Sequence, residues 1–268
     1  MPTVPLPERR PRRKCCVPPV GAWPALGLGL AVLSAMAVDH LSRSPRWQSF
    51  GRVLSHGDRQ AALVALSFDD GPNPRTTPQL LEVLRRTGTP ASFFLVGRNI
   101  VEHPELARAI VAAGQGVGNH SFSHDAMVLE QPWRYRREIA RTDALIRGLG
   151  YRGVIRFRPP YGRKLLVLPW LLARQGRVDV LWDVNPQDWT LNDPVEISER
   201  VLARVRPGSI VVLHEHPATV QALEPLIQRL RRRGYRLVSL ERLIQVAEHS
   251  PLRPDHRLPP RPASTGGG

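Results

Sequence analysis

Residues 62–72 read ALVALSFDDGP, and this stretch decides the class of fold. Its first seven residues form a short, almost continuously apolar run, which is typical of a strand buried on both faces. Two adjacent carboxylates, Asp69 and Asp70, follow the run, and a glycine and a proline then turn the chain. Because neighbouring carboxylates repel each other, they need a compensating cation or different roles at a buried strand end. Taken alone, a solvated turn is the alternative interpretation.

Beyond this stretch, apolar runs of β type alternate with segments of helical period. We predict strands at 62–68, 91–96, 116–119, 154–158, 178–183, 209–213 and 236–238. We predict helices near 77–87, 103–113, 132–148, 163–175, 194–205, 219–233 and 239–248. Seven βα units in alternation indicate an α/β fold with a parallel sheet and outer helices, either closed into a barrel or doubly wound.

The overall composition excludes several classes of protein. The chain has 268 residues, of which 42% are hydrophobic and 23% charged, so it is neither wholly disordered, nor a collagen-like fibre, nor a multi-pass membrane protein. Its two cysteines, Cys15 and Cys16, both precede the folded part, which excludes a disulfide framework and a cysteine-based zinc site there. Any metal must therefore be held by His, Asp or Glu.

The formal charge of +15 raises the question of nucleic-acid binding. Part of this charge lies at the two ends of the chain. The rest is spread over amphipathic segments such as 229–233 and is not interleaved with stacking aromatic side chains. Basic helix faces of this kind are usually solvated surface. We therefore expect no nucleic-acid partner.

The N-terminal region has the pattern of an export signal. Residues 1–16 carry a basic cluster, and residues 17–38 contain no formally charged side chain. Positive residues before an apolar span predict a cytoplasmic N-terminus and a domain outside the cytoplasm. The small-x-small sequence that ends at Ala37 would suit cleavage of a signal peptide, which would leave the protein secreted or periplasmic. An uncleaved transmembrane anchor is the alternative, and it would attach the protein to the membrane.

The remaining boundaries follow from composition. Residues 39–60 are polar and irregular, and we predict a linker there. Residues 61–249 form the predicted folded domain, and the proline-rich residues 250–268 should be a disordered tail.

A pair of histidines, His120 and His124, follows the third predicted strand. Their spacing predicts a helical turn with both imidazoles on one face, the geometry that adjacent metal ligands require. One carboxylate would complete a set of three ligands with open positions for water and substrate, as in catalytic zinc sites. Asp70 is the candidate for that carboxylate, and a chance surface pair of histidines is the alternative.

Three further polar groups lie at the C-terminal ends of predicted strands, where active sites of α/β proteins are built. Arg158 begins the rigid sequence RPPYG and could hold a carboxylate; an exposed turn is the alternative. His214 ends an apolar strand and could be either a buried core imidazole or a general acid. Asp188 could raise the pKa of His214 and keep its imidazole protonated.

Five motifs in this order, SFDDGP, HSFSH, RPPYG, NPQDW and IVVLH, resemble those of the NodB-type polysaccharide deacetylases, carbohydrate esterase family 4. The resemblance covers residues 64–243. It implies a distorted (β/α)7 barrel that removes acetyl groups from N-acetylated sugar polymers with one divalent metal, commonly zinc.

The resemblance also implies a role for each motif residue. Asp69 matches the general base and His214 the general acid, while Asp70, His120 and His124 match the metal ligands. Among the supporting positions, Arg158 matches the arginine that braces the base, and Asp188 matches the carboxylate that tunes the acid. The amide of Tyr161 matches an oxyanion donor. Trp189 and Leu213 match the apolar wall around the acetyl methyl group. Three positions depart from the usual motifs: Ser67 replaces threonine, and Asn185 and Glu215 replace aspartate.

The sequence therefore predicts an exported, metal-dependent hydrolase of non-peptide carbon–nitrogen bonds. Its expected reaction removes N-acetyl groups from a glycan containing N-acetylglucosamine and releases acetate. An acetyl-ester hydrolase of O-acetylated polysaccharide, a deacylase of a lipid-linked amino sugar and a non-catalytic glycan-binding module are the alternatives.

Overall fold

A computed structural model of the chain describes residues 22–44 and 50–249. The basic N-terminal region, the first residues of the apolar segment and the predicted tail lie outside these ranges. The helices are α1 Ala22–Arg43, α2 Thr77–Thr87, α3 Gly97–Glu102, α4 Pro104–Ala112, α5 Pro132–Gly148, α6 Val167–Arg174, α7 Pro194–Leu202, α8 Pro217–Arg232 and α9 Leu240–His249. The strands are β1 Val53–Leu54, β2 Leu63–Asp69, β3 Ala91–Leu95, β4 Gly116–Asn119, β5 Asp179–Val180, β6 Ser209–His214 and β7 Arg236–Leu237.

All the paired strands run parallel, which confirms the α/β class. The larger sheet has the order β4-β3-β2-β6, and β7 also pairs with β2, while β1 and β5 form a separate pair. Isolated bridges connect these two sheets. Phe157 bridges Asn119 of β4 and Asp179 of β5, and Val184 bridges Val211 of β6.

The prediction of a strand at 154–158 is wrong, because no regular strand forms there. Phe157 alone makes bridges to its two neighbours, although the backbone of Arg158 still donates to the Asn119 carbonyl. Two prolines follow Arg158 at once, and a residue without an N–H group cannot extend a hydrogen-bonded ladder. This side of the sheet is therefore held by single bridges.

Other predicted segments also differ from the structure. The predicted strand at 178–183 is reduced to β5, and the predicted helix at 163–175 begins only at Val167. A separate short helix, α3, precedes the predicted helix at 103–113.

The predicted linker at 39–60 is partly regular structure. Residues 39–43 belong to α1, and residues 53–54 form β1, which pairs with β5 in register at Val53 and Asp179. The linker prediction is therefore wrong for these residues.

Helix α1 contains most of the predicted signal or anchor segment and continues to Arg43. Within residues 22–44 and 50–249, none of the helices combines the length and the apolar character that a membrane span needs. The chain divides into two compact units, residues 1–40 and 41–268.

The core explains why β2 is apolar along its whole length. Phe68 points into the layer between the sheet and its helices and stacks on Phe93 of β3, with ring centroids 5.1 Å apart. Ala65 contributes to a second core cluster together with Phe94. Because strand side chains alternate between two buried faces, the charged residues of β2 and β6 lie at the strand ends. Asp69 and His214 are direct partners in the β2–β6 register, so two motifs distant in sequence become neighbours.

Candidate metal centre and active site

Asp69 and Arg158 form a buried ion pair at the end of β2. The Arg158 Nη1 atom lies 2.5 Å from Asp69 Oδ1, and both side chains are almost fully buried. Arg158 also donates to the carbonyls of Val180 and Leu181 and lies 3.9 Å from the centre of the Phe94 ring. Burial lowers the pKa of Arg158, and the charge and hydrogen bond of Asp69 oppose that shift. The second Asp69 oxygen remains available towards the site, 3.8 Å from His120 Nε2.

Asp70, His120 and His124 converge as the sequence predicts. Asp70 Oδ1 lies 3.5 Å from His120 Nε2 and 3.0 Å from His124 Nε2. One ligand atom from each of the three residues lies within 4.8 Å of the other two. This cluster is a possible metal site, and it is the one such group found among the described residues.

The hydrogen bonding of this cluster suits a divalent cation. His120 Nδ1 lies 2.8 Å from the Arg158 carbonyl oxygen, which can only accept, so Nδ1 donates there and Nε2 is the ring nitrogen that faces the cluster. Nε2 faces Asp70 Oδ1, which is buried and makes no hydrogen bond within the described part of the chain. A cation held between this oxygen and the two imidazole nitrogens would satisfy it. Two imidazoles and one carboxylate are a donor set that zinc accepts.

The prediction that His120 and His124 share a helical turn is wrong. Residues 120–131 form no helix, and Ser121 and His124 adopt left-handed backbone angles with φ of 64° and 63°. The side chain of Ser121 accepts a hydrogen bond from the His124 amide at 3.0 Å, and this bond closes the turn. The imidazoles therefore converge through a tight, strained turn, which the i, i+4 spacing alone does not distinguish from a helix.

Glu138 of α5 supports this turn, although no sequence pattern predicts that role. Its Oε2 atom accepts hydrogen bonds from the amides of Phe122 and Ser123 at 2.9 and 2.8 Å and from the Ser123 hydroxyl at 2.9 Å. Asp143 of the same helix accepts from the side chain of Asn119 at 2.7 Å. Acidic residues of an amphipathic helix resemble ordinary surface charge in a sequence, so no local signal identifies them.

His214 and Asp188 form a second buried pair. Asp188 is fully buried, and its Oδ1 atom lies 2.9 Å from His214 Nδ1. Its Oδ2 atom accepts from the His214 amide at 2.7 Å and from the Thr219 hydroxyl at 2.6 Å. Burial lowers the pKa of His214, but the hydrogen bond and charge of Asp188, with the charges of Asp69 and Asp70, outweigh burial and raise it above its ordinary value. Thr219 was not predicted.

Two aromatic residues border the cluster. Tyr161 lies in a 3-10 turn at Pro160–Gly162 with φ of 58°, and its ring centre is 4.8 Å from that of His124. Trp189 contacts His214 edge-on, with ring centres 4.5 Å apart. Both aromatic side chains remain about half exposed, with relative accessibilities of 57% for Tyr161 and 47% for Trp189. The site is thus open to solvent between them.

The structure corrects the prediction for Leu213. Leu213 is the register partner of Phe68 and packs in the same core layer, between the sheet and its helices. Since successive strand residues face opposite sides, this layer lies on the other face of β6 from His214. Val212, two residues before His214, has the orientation that an active-site wall requires.

The three departures from the usual motifs are accommodated by hydrogen bonding. Ser67 accepts from Arg158 and donates to the Val211 carbonyl, both at 2.9 Å, so its hydroxyl takes part in bracing the base. The side chain of Asn185 accepts from the Gln187 amide at 2.8 Å, which shapes the turn before Asp188. Glu215 is buried behind the turn at residues 69–72.

Comparisons with known proteins show which family the chain is similar to. The polysaccharide deacetylase family matches residues 56–176. A chitooligosaccharide deacetylase from Bradyrhizobium sp. is 36% identical over 67% of this chain and 90% of its own length. A peptidoglycan-N-acetylglucosamine deacetylase from Bacillus cereus is 33% identical over 75% of this chain and 77% of its own length. The solved structure of a CE4 family pseudoenzyme from Bacillus anthracis matches with a TM-score of 0.69 and 28% identity, covering 75% of this chain and 69% of that chain.

The fold and site therefore define a carbohydrate deacetylase of the α/β class. The chain belongs to the polysaccharide deacetylase family, which confirms the resemblance seen in the five motifs. The predicted enzyme class is confirmed with it.

Loss of one imidazole should remove the metal. We expect His120→Ala to abolish retention of a divalent cation, because two remaining ligands leave the site incomplete. Elemental analysis of the purified protein measures this, with His249→Ala on the exposed end of α9 as the control. Stoichiometric metal in the His120→Ala protein would disprove this ligand assignment.

Proposed function

We propose that this protein hydrolyses N-acetyl groups of a glycan containing N-acetylglucosamine and releases acetate. The observation that carries the proposal is that a carboxylate and an imidazole, each held by an oppositely charged partner, lie beside a candidate metal site. Asp69 is braced by an arginine, and His214 is braced by a carboxylate. For the ring of strands we propose the distorted (β/α)7 barrel of the family, supported by the bridges at Phe157 and Val184.

We propose Asp70, His120 and His124 as the ligands of one divalent cation, with zinc as the first candidate. When bound, such a cation polarises the acetamide carbonyl and makes water more acidic.

Asp69 is our candidate for the general base. Arg158 orients its carboxylate, so that Oδ2 can accept the proton of the attacking water. This role differs from that of Asp70, although the two residues are adjacent in sequence. The conflict between neighbouring carboxylates is thereby resolved, since a cation compensates one charge and a guanidinium the other.

His214 is our candidate for the general acid. Its Nδ1 atom donates to Asp188, which leaves Nε2 free to protonate the departing nitrogen. The raised pKa of His214 favours the charged imidazole that a general acid needs. Because Asp188 also accepts from the His214 amide and from Thr219, its orientation is determined from three directions.

The remaining residues would bind the acetyl group. The Tyr161 ring lies beside that of His124, and we assign the backbone N–H group of Tyr161 as a donor to the developing oxyanion. Trp189 provides an apolar wall for the methyl group next to His214, and Val212 is the residue of β6 that we assign in place of Leu213.

The alternatives make different use of the same site. An O-acetyl esterase needs the same base and oxyanion donors but no strong acid, because an alcohol leaves more easily than an amine. The paired His214 and Asp188 therefore favour an amide substrate. A non-catalytic glycan-binding module needs none of these groups together, although the similarity to a CE4 pseudoenzyme makes turnover the property to measure.

Release of acetate tests the proposed function directly. We expect the protein supplied with Zn²⁺ to release acetate from chitooligosaccharide or peptidoglycan, and to act less on acetylated xylan. Asp69→Asn should lower kcat by about 10²–10⁴-fold because the base is lost, while metal content remains. An inactive wild-type protein at full metal occupancy would support the binding-module alternative.

The pH profile should reveal the tuning of His214. Since Asp188 raises the pKa of His214, Asp188→Asn should lower that pKa and move the alkaline limb of kcat/KM to lower pH. Thr219→Val is the matched control, since it removes one hydrogen bond to Asp188 and keeps its charge. An alkaline limb that does not move at full metal occupancy would show that Asp188 has no tuning role.

We further propose that the domain works outside the cytoplasm. The support is the basic cluster before residues 17–38 and the likeness to deacetylases of peptidoglycan and chitooligosaccharide. Either a retained membrane anchor or cleavage near Ala37 is compatible with this location. A reporter fused after Ser250 should be active only if it is exported. Activity confined to a cytoplasmic reporter would contradict the proposal.

A further inference from the structure

Glu215 has no part in the reaction described above, yet its carboxyl group is buried beside the site. It directly follows His214 at the end of β6, and its relative accessibility is 8%. The family motif often has aspartate at this position, so the longer side chain needs a structural reason.

The carboxyl group of Glu215 lies at the beginning of helix α2. Thr77 donates its hydroxyl to Glu215 Oε2, and the Thr76 hydroxyl lies 3.3 Å from the same oxygen. Helix α2 has no side-chain cap of its own and no acidic residue in its first turn. Glu215 therefore supplies, from another strand, a carboxyl oxygen that accepts at the beginning of α2.

The other oxygen of Glu215 packs against the turn that follows β2. A Cβ atom added to Gly71 would overlap Glu215 Oε1, so the side chain fills the space that glycine leaves. This oxygen is buried and has no hydrogen-bond partner in the described part of the chain. Its contact with Gly71 is thus a packing contact.

The turn needs such support because Asp70 is strained. Asp70 has φ of 71°, a left-handed conformation that residues other than glycine rarely adopt. Its carbonyl accepts from the Asn99 side chain at 2.7 Å, and the Gly71 carbonyl accepts from the Val96 amide at 2.9 Å. These bonds hold the turn from the β3 side, and Glu215 supports it from the β6 side.

We propose that Glu215 is a positioning residue that keeps Asp70 in its metal-binding conformation. The carboxyl group connects the beginning of α2 to Gly71 and thereby prevents the turn at residues 69–72 from relaxing. This inference rests on the proposed metal site. It differs from that proposal because Glu215 contacts neither the metal ligands' donor atoms nor the substrate.

The affinity for Zn²⁺, measured by competition with a chromophoric chelator, tests this role without relying on activity. We expect Glu215→Ala to weaken Zn²⁺ binding about 10–100-fold, the range found for residues that orient metal ligands. Burial raises the pKa of Glu215 to about 7, so Glu215→Gln is the conservative variant and should restore most of the affinity.

Glu224→Ala is the matched control. Like Glu215, Glu224 contacts α2, but it does so from α8, through an ion pair with Arg86 at 2.6 Å. We expect this variant to bind Zn²⁺ as the wild type does. An equal loss of affinity in Glu224→Ala would attribute the effect to general destabilisation of α2 and overturn the inference.

Gly71→Ala disrupts the same contact by changing the glycine instead of the glutamate. We expect it to weaken Zn²⁺ binding because the new methyl group displaces Glu215, and the double variant with Glu215→Ala should be no weaker than Glu215→Ala. Wild-type affinity in either single variant, or losses that simply add in the double variant, would overturn the inference. If Glu215→Ala does not fold, wild-type Zn²⁺ affinity in Gly71→Ala would still overturn the inference. Failure of the wild type itself to bind Zn²⁺ would instead overturn the proposed metal site, and this inference with it.

Discussion

The buried ion pair between Asp69 and Arg158 is the interaction on which the rest of the site depends. It joins the end of β2 to the segment that bridges β4 and β5 through Phe157. Both side chains are shielded from water, so removal of one partner would leave an uncompensated buried charge, at a cost of about 3–5 kcal/mol. The Arg158 carbonyl also accepts from His120, so the same residue orients the candidate base and one candidate metal ligand.

Backbone strain is concentrated in the same loops. Five non-glycine residues in or beside the motifs have left-handed backbone angles: Asp70, Ser121, His124, Tyr161 and Gln187. Each of these conformations costs on the order of 1–3 kcal/mol, so each must be held by its surroundings. Side chains such as Asn99, Glu138 and Asn185 provide this support by hydrogen bonding to loop backbone. The geometry of the site is therefore maintained by residues that carry out no chemistry themselves.

Sequence patterns predicted the components of the site better than their local geometry. The strand at 116–119 and the helices at 77–87 and 132–148 have the predicted bounds, because their periodicity and flanking residues are unambiguous. The histidine pair was assigned to a helical turn because spacing alone does not separate a helix from a tight turn. Leu213 was assigned to the active site because a motif match does not state which face of a strand a residue occupies.

The sequence by itself determined the α/β class and the five motifs, because apolar periodicity and residue type are local properties. Only the tertiary structure decided how those motifs meet. The β2–β6 register places Asp69 beside His214, and α5 brings Glu138 to the histidine turn. Only tertiary packing showed that Glu215 lies against Gly71, across a distance of more than a hundred residues in the chain. These contacts join residues that are remote in sequence, and they form only when the parallel strands assemble and their helices pack outside them.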